Sequence, residues 1–60
     1  MNYELKLFEF FNSIITEEHN RTMVEDEYGN KIITFLIIDD CAISFFFNNS
    51  GDLIACNTAI

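Results

Sequence analysis

The residues of this 60-residue chain that could do chemistry form a short roster: ten carboxylates, one histidine and two cysteines. The adjacent acids Asp39 and Asp40 are the natural place to look for general acid–base work or a divalent cation. Neighbouring residues in a hairpin turn project apart, however, and a hard cation needs several oxygen ligands that are not spaced nearby. Aspartate also tolerates the backbone of a tight turn, which accounts for the pair without any reaction. A cysteine–histidine nucleophile needs a base within hydrogen-bond reach and a group to orient it. His19 falls at the predicted end of a helix, a favourable place for it in its own right, while Cys41 and Cys56 fall in predicted strands. No catalytic residue, metal site or cofactor is therefore expected, and the chain reads as non-enzymatic.

The remaining carboxylates suit binding better. Ten Asp and Glu against three Lys and Arg give a formal net charge of −7 and a pI near 4.1. Such a chain is repelled by nucleic acid and by anionic membranes, and attracted to a protein with a basic surface. Glu17 and Glu18, placed in the last turn of the predicted helix, sit where the dipole disfavours them and so are candidates for partner contact. Glu25 and Glu27, with Asp26 between them, lie on a predicted edge strand, where charge blocks unwanted strand pairing and can also engage a basic partner. Asp39 and Asp40 complete the candidate partner-binding set. The aromatic run Phe45-Phe46-Phe47 with Phe35 could stack bases only with Lys or Arg around it, and Lys31 alone is in range. No direct nucleic-acid contact is expected.

These groups have to be held by a small set of elements. Residues 2–19 read as an amphipathic helix. At 100° per residue Tyr3, Leu7, Phe8, Phe10, Phe11, Ile14 and Ile15 fall on one arc of about 160°. After it the pattern is strands and turns: 22–28, a Gly29-Asn30 turn, 31–38, an Asp39-Asp40 turn, 41–47, a turn over 48–51, and 52–58. The expected fold is α+β: one N-terminal amphipathic helix on an antiparallel β-meander of three to four strands, a single compact α-β-β-β-β domain over residues 1–60.

Within residues 32–47, twelve of sixteen residues are apolar, so two strands are greasy on both faces. With a two-residue Asp39-Asp40 turn, strict alternation puts Ile32, Leu36, Ile38, Cys41, Ile43, Phe45 and Phe47 on one side. Ile33, Phe35, Ile37, Ala42, Phe46, Ile54 and Cys56 fall on the other. One helix covers one side. The second is assigned to a homodimer, through Ile33, Phe35, Ile37, Phe46 and Ile54, by sheet packing or edge pairing. A chain this short has a marginal core, and oligomerisation is a usual remedy when disulfides and metals are missing. Cys41 and Cys56 are not in a metal or redox spacing, and this parity sets them on opposite faces.

The opening MNYELKLFEFF lacks a basic n-region and carries Glu4 and Glu9, unlike a signal peptide. No uncharged run reaches the length of a membrane span. With reduced cysteines, the expectation is a cytoplasmic protein with no membrane partner. In size, acidity and Ile/Phe/Asn-rich composition the chain resembles the small inhibitors that bacteriophages use against host defence systems, and antitoxin or immunity proteins; no motif carries the likeness. The expected function is inhibition of another protein by surface occlusion. Mimicry of nucleic acid in a basic cleft and a structural role in a larger assembly are the alternatives.

Overall fold

The structure, a computed structural model, describes residues 2–38 and 41–59. Helix α1 spans Asn2–Ile14, with Glu4 in the first turn, where free N–H groups favour a carboxylate. It stops at Ile14 rather than His19, for local reasons. Ile14, Ile15 and Thr16 are three successive β-branched residues, which lose side-chain freedom in a helix. The Ser13 hydroxyl also donates to the Phe10 carbonyl at 2.8 Å, a bond that competes with helical continuation. A 3-10 turn, Glu18–Asn20, then delivers the chain to the sheet.

Four strands follow, β1 (Arg21–Glu25), β2 (Lys31–Ile38), β3 (Cys41–Phe47) and β4 (Leu53–Ala59), in the spatial order β1-β2-β3-β4 with every pair antiparallel. One helix on a four-stranded antiparallel meander is the expected α+β architecture.

The β1–β2 and β3–β4 hairpins turn on one shared device. Asp26 Oδ1 accepts the N–H groups of Tyr28 and Asn30, each at 2.9 Å, and Asn48 Oδ1 accepts those of Ser50 at 3.0 Å and Asp52 at 2.9 Å. Three residues after each Asx comes a glycine with positive φ, +87° at Gly29 and +89° at Gly51, a conformation that costs a side chain dearly. The turns also touch: a Cβ on Gly29 would lie 3.3 Å from that of Asn49. The expected two-residue Gly29-Asn30 turn is therefore corrected to a loop beginning at Asp26, which shortens β1 to end at Glu25.

The strand faces also differ from strict alternation. Ile38 pairs with Cys41, but the register slips between Leu36 and Ile38, so that Leu36 opposes Ala42, Phe35 opposes Ile43 and Ile33 opposes Phe45. One extra residue in β2, Ile37, flips every side chain before it to the other face. Ile33 and Phe35, expected at a dimer interface, instead lie under the helix at 8% and 0% exposure. They form the buried core with Ile43 and Phe45, against which Phe8, Phe11, Ile15, Phe47, Leu53 and Cys56 pack.

This core is chiefly aromatic. The Phe8 ring meets Phe35, Phe45 and Phe47 at centroid distances of 5.8, 5.3 and 5.0 Å, the last two edge-on, and Phe35 meets Phe45 at 5.9 Å. Edge-to-face contacts of this kind add about 0.5–1.5 kcal/mol beyond the area they bury.

Candidate interaction surface

The face of the sheet turned away from α1 follows from the register. It carries Thr22 and Val24 of β1, Ile32, Thr34 and Leu36 of β2, Ala42, Ser44 and Phe46 of β3, and Ala55 and Asn57 of β4. None of these is charged, in a chain with thirteen formal charges. At its centre the Thr34 and Ser44 hydroxyls satisfy each other at 2.8 Å. Around that pair Val24, Ile32 and Leu36 are exposed, and Val24, Ile32, Phe46 and Ile54 line a shallow hollow of about 270 Å³ that Asp26, Asn30 and Lys31 also line. Ile54 is the extra residue of a second bulge, where the β3–β4 register slips between Phe46 and Phe47.

The expected association face thus keeps Phe46 and Ile54 and loses Ile33 and Phe35 to the core. Ile37 is exposed at the β2 bulge. Val24, Ile32 and Leu36 take the vacated places. Alternation alone could not find them, because the bulge has no signature among the residues of β2.

The candidate carboxylates that the structure describes sit at the two ends of β1 rather than on the sheet face. Glu17 caps and Glu18 opens the 3-10 turn, both exposed and neither in a last turn of α1, so the dipole penalty expected for them does not arise. Glu17 lies 3.3 Å from His19 in an exposed pair, a kind of contact worth little. Glu25 ends β1 at the opposite end of that strand, and exposed Glu27 lies in the Asp26 loop. The two groups are separated by a five-residue strand, roughly 13–17 Å. Asp39 and Asp40 lie outside the described residues. Asp26 is not a free contact group at all: a side-chain bond from Asn30, followed by the backbone N–H bonds of the turn, holds its carboxyl below the usual value of 3.8.

Among the described residues no group of three or more His, Cys, Asp and Glu converges to hold a metal ion. Both cysteines are free. The β4 bulge at Ile54 brings Cys56 opposite Phe45 and so onto the helix-side face that Cys41 also shares, correcting the expectation of opposite faces. Cys41 nevertheless lies four residues along β3 from Phe45, the partner of Cys56, about 13 Å away and beyond disulfide reach. Burial first, then the Glu4 carboxylate, push the Cys56 thiol above its ordinary range, which disfavours the thiolate.

A second apolar surface lies on the helix. Only Phe8, Phe11 and Ile15 reach the core. Tyr3, Leu7, Phe10 and Ile14, all expected on the same buried arc, are exposed, Tyr3 at 89% and Phe10 at 55%. The sheet supports only half the width of the apolar arc. The remainder is a 4-3-4-spaced seam, the spacing by which helices pair. The chain's total accessible surface, 4546 Å², exceeds the roughly 4,000 Å² expected for a compact monomer of this mass. No helix among the described residues is long and apolar enough to cross a membrane. Comparison with protein-family models, with curated proteins and with solved structures finds no match.

Proposed function

We propose that this chain acts by binding, as a small acidic non-enzymatic inhibitor that covers a surface of another protein. The observation that carries the proposal is the outer sheet face: ten outward positions without a charge, several of them large and exposed, flanked along the β1 edge by Glu17 and Glu18 at one end of that strand and Glu25 and Glu27 at the other. An uncharged centre with charged groups at its edge matches the anatomy of a protein interface. The border would speed encounter with a basic protein and the centre would hold it. In this reading the chain works as a homodimer in the cytoplasm, in the manner of phage inhibitors of host defence or of antitoxin and immunity proteins.

Leu36→Asp tests the reading, because Leu36 is 46% exposed on that face and lies outside the buried core. The tagged protein should capture a partner from a host lysate, and Leu36→Asp should reduce that capture at least tenfold with the far-ultraviolet circular dichroism unchanged. Capture that survives Leu36→Asp and responds only to removal of Glu25 and Glu27 would overturn the apolar face as the binding surface.

A further inference from the structure

We infer that the β4 side of the molecule is a two-fold self-association surface, in which β4 pairs antiparallel with β4 of a second copy while the exposed seam of α1 packs on its mate. The inference deepens the homodimer part of the proposed function and rests on it.

The two sheet edges are unlike. Edge strands are normally protected against pairing by charge, proline or shortness. β1 has five residues and carries Arg21 and Glu25. β4 has seven, Leu53-Ile54-Ala55-Cys56-Asn57-Thr58-Ala59, with no charge and no proline. Its free backbone groups can be named. Asp26 N–H donates to the Asn30 carbonyl, so the β1–β2 bonded pairs are those of Val24–Ile32 and Thr22–Thr34. Ile33 and Phe35 then bond to Phe45 and Ile43 of β3, which turns the backbone of those two residues away from β4. Cys56 and Thr58, opposite them, direct their N–H and C=O groups out of the sheet.

The helix seam lies on this same side. Viewed from the helix with β2 running upward, L-residue geometry with Ile33 and Phe35 bonded rightward puts β3 and β4 to the right. α1 climbs across the sheet in the same sense, since Phe8 reaches Phe47 as well as Phe45 and Phe35 while Phe11 meets Phe35 and Phe45 and the following 3-10 turn lies against β1 and β2, and β4 is the strand its backbone approaches most. In a right-handed helix the residue before each core residue is rotated 100° counter-clockwise seen from the N-terminus, which is rightward here. Tyr3, Leu7, Phe10 and Ile14 each immediately precede a sheet-facing position, namely Glu4, Phe8, Phe11 and Ile15. The seam therefore leans toward the β4 edge.

Charge selects the occupant. Two copies at a formal −7 each repel, so they can meet only where carboxylates are sparse. Neither β4 nor the seam has one. Glu4, beside Cys56, and Asp52, just before β4, are the nearest, and Lys6 shares the turn with Glu4. A strand pair alone is a thin ribbon. Four large helix side chains above it bring the contact toward the roughly 800 Å² per partner of a standard interface. Antiparallel pairing about a two-fold closes at a dimer, and leaves the outer sheet face open for a different protein.

The test combines light scattering with residue-resolved amide exchange. The unmodified protein should have twice the chain mass, with the Cys56 and Thr58 amides at least tenfold protected relative to a dilute sample below the dimer dissociation constant. Thr58→Asp and Phe10→Asp, both at exposed positions, should each raise that constant at least tenfold, and Leu36→Asp should leave it unchanged. A monomer whose Cys56 and Thr58 amides exchange freely would overturn self-association altogether. A dimer that only Leu36→Asp dissociates would overturn the β4 side in favour of face-to-face packing, leaving the homodimer reading intact.

Discussion

At the scale of single residues, the two hairpins offer an internal comparison. Asp26 and Asn48 do the same work, an Asx oxygen gathering two backbone N–H groups ahead of a positive-φ glycine, yet only Asp26 titrates. Its carboxyl is held below the usual 3.8, first by the Asn30 side chain and then by the backbone N–H groups. A depressed carboxyl pKa stabilises the fold above the unfolded-state value, and that contribution is lost as pH falls through the folded-state value. The β1–β2 hairpin should therefore weaken as pH drops below about 4. Asp26→Asn keeps the Oδ1 acceptor, as Asn48 demonstrates, and removes the titration. Melting temperatures of the two proteins between pH 7 and pH 2.5 should diverge least at the acid end, where the wild type has lost its advantage. Parallel curves across the whole range would mean that the Asp26 charge contributes nothing. The sequence already contained this pattern, as Asp-x-x-Gly-Asn and Asn-x-x-Gly-Asp; reading Gly29-Asn30 as a two-residue turn concealed it.

At the scale of elements, what was legible is what periodicity and turn chemistry encode. The helix, the four strands, their order and the antiparallel sheet all follow from residue types, because Asn, Asp or Gly separates each strand from the next and β2 and β3 are almost wholly apolar. What was not legible is register. The slip at Ile37 arises from how β2 and β3 settle against each other, and in a strand reading Ile-Ile-Thr-Phe-Leu-Ile-Ile either parity looks acceptable. One unannounced residue exchanged Ile33 and Phe35 for Ile32 and Leu36. The helix failed differently: its apolar arc was real, but it is broader than one small sheet can cover. A pair of substitutions separates the two halves of that arc. Phe8→Ala removes a ring in contact with Phe35, Phe45 and Phe47 and should cost about 3–5 kcal/mol, enough to threaten folding. Phe10→Ala lies off the core and should cost less than about 1 kcal/mol when urea unfolding is followed at low protein concentration, because alanine also favours the helix. Equal midpoints for the two variants would contradict the division of α1 into a core stripe and a free seam.

At the scale of the whole molecule, the question is what net charge does to a fold with a small core. The longest dimension is 31 Å, and the exposed His19–Glu17 contact is the only basic–acidic side-chain pair within 4.0 Å among the described residues. The Debye length is about 30 Å at 0.01 M salt and about 8 Å at 0.15 M, so at low salt nearly every carboxylate feels every other, whereas at physiological salt only neighbours interact. Ten acids against three bases then oppose compaction most strongly in dilute buffer, and they oppose the meeting of two copies for the same reason. Added NaCl should raise the melting temperature. Relief of roughly 1 kcal/mol would correspond to about 4–8 °C in a domain of this size. It should also strengthen self-association through the uncharged β4 side, while weakening capture of a basic partner, where the charges attract. These opposite signs follow from one charge distribution acting on two kinds of contact. Thermal melts, light scattering and partner capture across 0.01–0.5 M NaCl would measure all three. A melting temperature that falls with salt would mean that attractive pairs outweigh the repulsion. Self-association and partner capture that move in the same direction would mean that both contacts draw on the same surface.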